Sequence, residues 1–270
     1  MASIEYRVGV FGFFHLSHLP DGADYPDAQN LGLMDQMMAL KWIHENIAGF
    51  GGDPDNVTIF GESAGGASVT LLPLVEGSHE YFHRVIAQSG TPVFTRSPEE
   101  AIACTDEERA LAEDYLKVAG DVSAEYSSTS RLFDQLSFIA PLFRVSENQT
   151  MAGGKSYTYF FTPESDIPLV RSGHAVELAS VFDNHEFGRR FDETFSQTLR
   201  KMWVQFAKTG DPSLSADISP DGTEKVWPLY DLEDKQVMIF DEDNIHAEKE
   251  SERQIIDWDR TYFLTKYYSI

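Results

Sequence analysis

The sequence predicts an α/β fold built on an open, mostly parallel sheet. Three observations carry that expectation. Short runs of β-branched and aromatic residues alternate with longer amphipathic stretches, which is the pattern of strands joined by helical crossovers. The 270 residues are 42% hydrophobic and 24% charged, near globular averages and enough for a sizeable core. At Gly61-Glu62-Ser63-Ala64-Gly65 a short apolar run passes through a glycine-flanked turn into a helical pattern.

Residues 5–14 (EYRVGVFGFF) are β-branched and aromatic and read as a buried strand entering a turn. Residues 15–29 form a loop broken by Pro20, Gly22 and Pro26. Leu33, Met37, Leu40, Ile43 and Ile47 recur at helical steps and predict a helix over 33–47. Gly49, Gly51 and Gly52 end it. Residues 56–60 (NVTIF) read as a strand, 65–72 as a helix and 84–88 (RVIAQ) as another strand. Residues 98–119 read as a helix with an acidic outer face, 120–130 as a polar loop, and 131–144 as a helix broken or kinked at Pro141. A strand is expected over 157–162 (YTYFFT), then a loop over 167–173 with His174 at its end. An amphipathic helix over 191–208 stops at Gly210-Asp211-Pro212. A strand over 236–241 and a closing helix over 252–267 complete the pattern.

The chain carries 44 acidic and 21 basic side chains, a formal charge of −23. Phosphate binding needs basic patches, so nucleic acid is excluded as a partner. An acidic face can steer cationic substrates, although the surplus also serves as ordinary solvation. The single cysteine, Cys104, can form no internal disulfide and sits in no motif, which favours a reducing compartment. The first residues lack a basic segment followed by a long apolar one, so no signal peptide is expected. No run approaches the roughly 18 apolar residues that span a bilayer, and a cytoplasmic location is expected.

Strand, Gly-x-Ser-x-Gly, helix is the context that a nucleophile elbow requires. Such a turn is sharp. It lifts the Ser63 hydroxyl clear of the sheet, and small residues at 61 and 65 let strand and helix backbones approach. Ala64 then opens the helix, where its N–H can face a developing oxyanion. The bland alternative is an ordinary glycine-rich strand-to-helix turn. A serine needs a base, usually a histidine, and in this architecture the base follows the serine in the chain. His15, His18 and His44 precede Ser63; His79 and His83 follow it too closely. His174, His185 and His246 remain, and His174 stands on a loop after a strand, where such a base belongs.

The segment from Asn30 through Asp35-Gln36 to Asn46-Ile47, followed by residues 50–65 (FGGDPDNVTIFGESAG), resembles the type-B carboxylesterase family, which includes para-nitrobenzyl esterases and cholinesterases. Residues 82–90 (FHRVIAQSG), 134–141 (DQLSFIAP), 173–178 (GHAVEL) with Val181-Phe182, and 203–212 (WVQFAKTGDP) extend the likeness over most of the chain. The resemblance implies one α/β-hydrolase domain over 1–270 and hydrolysis of small carboxylic esters. It also implies an acyl-enzyme on Ser63, His174 as general acid and base, and no metal or organic cofactor. Glu62 would be the glutamate beside the nucleophile, not the triad acid, and Ser89 a supporting polar residue at most.

The chain departs from the family pattern twice. Relative to family members it starts late, on the segment that follows their glycine-rich oxyanion loop, so Ala64 supplies the only oxyanion donor expected here. An incomplete sheet edge at the N-terminus is expected with it. The interval between Ser63 and His174 is also shorter than the family's, and the acid belongs inside that interval. Cys104-Thr105-Asp106-Glu107-Glu108 echoes the acid-bearing loop faintly but reads better as a solvated helix start, so neither Asp106 nor Glu107 is assigned. Two functions follow from these features. One is a serine ester hydrolase, its rate lowered by the missing parts. The other is an inactive esterase-like module that acts by binding.

Overall fold

A computed structural model describes residues 1–13, 15, 24–92, 95, 97, 138–166, 172–184 and 190–249. By its contacts the chain divides into two units, Met1–Thr129 and Ser130–Ile270. The helix expected over 98–119, the loop over 120–130, the start of the 131–144 helix, most of the 167–173 loop and the closing helix over 252–267 lie outside the described residues. So do Cys104, Asp106 and Glu107.

In the first unit, residues 1–8 take no regular structure and lead into a single helical turn, α1 (Val10–Phe13). The expected strand over 5–14 is therefore corrected. Its composition is β-like, but Gly9 turns the chain at φ 56°. The Arg7 N–H, which a strand would give to a neighbour, donates instead to Asp35 Oδ2 at 3.0 Å. The Arg7 guanidinium completes the clasp, with Nε donating to Oδ2 at 2.7 Å and Nη2 to Oδ1 at 2.6 Å.

Asp35 belongs to α2 (Leu31–Asn46), which begins two residues before the expected start and continues as a tighter turn, Ile47–Phe50, closed by left-handed Gly51. β1 (Thr58–Glu62) runs into α3 (Ala64–Leu71), and β2 (Arg84–Gln88) returns alongside. β1 and β2 pair in parallel with Thr58 opposite Arg84 and Glu62 opposite Gln88. Leu40 of α2, Ile59 of β1 and Val69 of α3 bury against Leu72 and Phe82, so the apolar faces of both helices and the sheet share one core.

In the second unit α4 (Ala140–Met151) carries Pro141 in its first turn. Residues 138–139 are π-helical and α-helix begins at 140, so Pro141 stands where the helix changes type, and the N–H it lacks is one that the first turn of α4 does not use. β3 (Tyr159–Phe161), α5 (Leu178–Phe182), α6 (Glu193–Thr209), β4 (Gln236–Phe240) and β5 (Ile245–Lys249) follow. β3 pairs with β4 in parallel, and β4 with β5 in antiparallel. The Asp192 carboxylate caps α6 by accepting from Phe195 N–H at 3.0 Å, and left-handed Gly210 ends the helix. Leu199 and Met202 on α6 pack with Val176, Ala179, Trp227, Met238 and Phe240. A second cluster joins Phe143, Tyr230, Val237 and Ile239. α5 and β5 were not expected from the sequence.

Candidate active site

The turn between β1 and α3 is set by glycines. A Cβ added to Gly61 would stand 2.4 Å from the Gly65 carbonyl carbon, and one on Gly66 would meet the Gln88 oxygen at 2.6 Å. Gly90 presses closest, with an added Cβ 2.2 Å from the Gly66 carbonyl carbon. No residue with a Cβ fits at these crossings. Ser63 sits between them at φ 56°, ψ −118°, a region that costs a non-glycine residue about 1–3 kcal/mol.

Two backbone hydrogen bonds hold it there. Ser63 N–H donates to the Gln88 carbonyl at the end of β2, and Ala67 N–H donates to the Ser63 carbonyl, both at 2.9 Å. The first continues the β1–β2 ladder by one bond; the second is the helix's first bond. Ser63 is half-buried and Ala64 exposed. As the first residue of α3, Ala64 has no carbonyl four residues back to accept its N–H within the helix, and the positive end of the helix dipole lies there. Glu62, at the end of β1, is half-buried. Ser89, one residue past β2, is also left-handed at φ 47°. A brace missed at the sequence level comes from α2: Gln36, 3% exposed, donates through Nε2 to Ser68 Oγ at 3.3 Å, and Ser68 Oγ donates to the Ala64 carbonyl at 3.0 Å.

His174 lies in the second unit. It is exposed, in a turn where Val176 N–H donates to the Gly173 carbonyl at 3.4 Å and Leu178 N–H to the Ala175 carbonyl at 3.1 Å. Its ring rests 6.0 Å from that of Phe138, inclined at 45°. Ala175 adopts φ 67°. Ser63 and His174 are thus each described within their own unit. Several other histidines have structural work. The His44 ring stands edge-on to Tyr81 at 5.7 Å, and His83 Nδ1 accepts from Val57 N–H at 3.2 Å. His246 is held between the Asn244 carbonyl, 3.0 Å from Nδ1, and Glu248, 2.8 Å from Nε2. His185 lies outside the described residues.

Among the described residues no cluster of three or more His, Cys, Asp or Glu side chains could hold a metal ion, and no helix is long and apolar enough to cross a membrane. A shallow cleft beside the start of α6, lined by Asp192, Asp221, Lys225 and Glu242, contains neither Ser63 nor His174. Two of its carboxylates have partners: Asp221 with Lys225 at 2.8 Å, and Glu242 with Asp192 N–H at 2.6 Å.

The model of the carboxylesterase family matches residues 1–103 and 99–257. The chain belongs to the carboxylesterase family. The para-nitrobenzyl esterase of Bacillus subtilis (strain 168) is 28% identical over 364 residues, a match covering 94% of this chain and 72% of that protein. The match is longer than the 270-residue chain, so the relative carries residues within it that this carboxylesterase lacks. A crystal structure of the Geobacillus stearothermophilus carboxylesterase at pH 6.2 superposes with a TM-score of 0.74 at 26% identity, covering 93% of this chain and 73% of that one. A solved PNB esterase gives 0.66 at 26% identity, covering 92% and 72%. The fold is that of the α/β-hydrolases, and this member of the family is by lineage a carboxylic ester hydrolase.

Proposed function

We propose that the protein hydrolyses small carboxylic esters through an acyl-enzyme on Ser63. The observation that carries this reading is the left-handed Ser63 held between β1 and α3. It has the form of a nucleophile elbow, and a strained serine at a strand-to-helix turn is a conformation with a chemical use. His174 would take the Ser63 proton as Oγ attacks the acyl carbon, and Ala64 N–H would donate to the oxygen that gains charge. His174 would return the proton to the departing alcohol. It would then deprotonate water for attack on the acyl-enzyme, releasing the acid and restoring Ser63. Of the histidines that follow Ser63 at sufficient distance, the family likeness over residues 173–178 favours His174, which is exposed on its turn.

The two units read together as one α/β-hydrolase domain over 1–270, because a single family description covers segments of both. A cytoplasmic location fits the lone Cys104. With no triad acid assigned, turnover is expected to be low. A missing acid lowers turnover by about 10⁴.

A fluorophosphonate probe tests the nucleophile. Labelling of the folded protein at Ser63, lost in Ser63→Ala, is the expected result; a folded wild type that takes no label would remove the proposal. The rival reading, an inactive module that acts by binding, draws on the residues that the relative has and this chain lacks. Ser63-dependent turnover of p-nitrophenyl acetate would eliminate it.

A further inference from the structure

We propose that Arg200 is a positioning residue for His174, acting through α5. The inference rests on the reading of His174 as the base. His174 stands on a short hydrogen-bonded ramp. Past left-handed Ala175 its turn leads into α5 through overlapping bonds, as Val176 N–H donates to Gly173, Leu178 N–H to Ala175 and Ser180 N–H to Glu177. α5 has five residues, too few to be stable alone, since helix nucleation fixes several dihedrals for the first bond. Its placement, and that of the His174 turn, is therefore borrowed from what it packs on.

That support is α6. Val176 and Ala179 bury against Phe195 and Leu199, and Ser196 Oγ donates to Ser180 Oγ at 3.2 Å in a fully buried contact. Apolar packing of a short helix leaves it free to slide and rotate. Arg200 removes that freedom. Its Nη1 donates to the Ser180 carbonyl at 3.0 Å, one of the C-terminal carbonyls of α5 that helix geometry leaves open. The same Nη1 lies 3.8 Å from Asp183, the left-handed residue that ends α5. Its Nη2 donates to Glu193 Oε1 at 2.9 Å, and Gln197 Nε2 donates to that oxygen at 2.8 Å. The planar guanidinium thus has one arm fixed on the first turn of α6 and the other on the end of α5. A cation at a helix C-terminus also suits the dipole. Without it the fold keeps its apolar contacts, while the ramp under His174 loses its stop.

The test compares wild type, His174→Ala, Arg200→Met and Arg200→Lys. Three readouts are used: the rate of fluorophosphonate labelling, kcat and KM on p-nitrophenyl acetate, and hydrogen exchange over residues 173–183. Arg200→Met is expected to slow labelling and kcat about 10- to 100-fold with KM unchanged, the scale set by small misplacements of a reacting group. It should also speed exchange in that segment. Arg200→Lys, which still donates to Ser180, should recover most of the rate. A wild-type labelling rate and unchanged exchange in Arg200→Met, with His174→Ala slow, would overturn the positioning role. Labelling of His174→Ala at the wild-type rate would instead overturn the reading of His174, and exchange alone would then decide whether Arg200 holds the ramp. Should Arg200→Met fail to fold, exposed Glu193→Gln, which weakens the other arm, is expected to give a smaller change in the same direction; no change would count against the proposal.

Discussion

Ser63 keeps an unfavourable backbone only because its neighbours leave no other path. The Gln88 carbonyl takes its N–H, Ala67 takes its carbonyl, and Gly61, Gly66 and Gly90 bring the chain segments into van der Waals contact. Gly90 is the most constrained of the three. Its φ is not left-handed, so the objection to a side chain there is purely one of space. An added methyl would overlap the Gly66 carbonyl carbon at 2.2 Å, and the contact is backbone on both sides, so no rotamer can yield. Gly90→Ala is expected to destabilise the protein by about 1–3 kcal/mol or more, as overpacking does, and to reduce Ser63 labelling because the turn must move. Gly49→Ala is the control: nothing stands within 4 Å of its added Cβ and its φ is ordinary, so a change within about 0.5 kcal/mol is expected. Urea unfolding of the two variants reads the difference. Equal midpoints would mean that the crossing can relax, and that the glycines do not hold Ser63 in place.

Among the elements, those whose signal is local were legible in the sequence. β2 falls on the expected residues, and α6 is displaced by one or two. The Gly-x-Ser-x-Gly turn follows from five neighbouring residues and its place between strand and helix. His174 is different: chain order leaves it level with His185 and His246, and only its loop after a strand and the family likeness single it out. α5 escaped because five residues carry no periodicity, and β5 because an edge strand such as IHAEK alternates weakly. Residues 5–14 misled because a distant partner decides their form. Asp35 on α2 captures Arg7 through three hydrogen bonds, and no reading of composition contains that contact. This clasp has a signature in pH. Hydrogen bonds from the Arg7 side chain, then from its backbone, hold the Asp35 carboxyl below its ordinary 3.8, at about 2. A carboxylate with a depressed folded pKa stabilises the fold above its unfolded pKa and loses that contribution as pH falls through the folded one. Asp35→Asn is therefore expected to be less stable than wild type at neutral pH, with the gap closing between about pH 4 and pH 2. Unfolding midpoints measured across that range check it. A gap that stays constant would show that asparagine disturbs packing and that the ion pair contributes nothing.

At the scale of the whole molecule, charge decides what the surface tolerates. With 44 acidic and 21 basic side chains, one-to-one pairing would still leave a surplus of 23 carboxylates at pH 7. Pairs such as Lys249–Asp234 at 2.5 Å and Arg7–Asp35 at 2.6 Å are attractive, and salt weakens them. The unpaired surplus repels itself in the folded state more than in an expanded chain, and salt weakens that too. Exposed pairs contribute little, with a median of about 0–1 kcal/mol each. Repulsion within a net charge of −23 acts over every carboxylate at once, so it should prevail. Raising salt from about 0.01 M to 0.15 M shortens the screening length from about 30 Å to about 8 Å, which is enough to separate carboxylates that otherwise interact across a face. The thermal midpoint is therefore expected to rise over that interval, equally in sodium and potassium chloride, and to stay nearly flat when an uncharged solute replaces the salt. A rise specific to one cation would point to a bound ion instead of screening. A fall would mean that the ion pairs outweigh the surplus, and that the acidic surface is organised around its few bases.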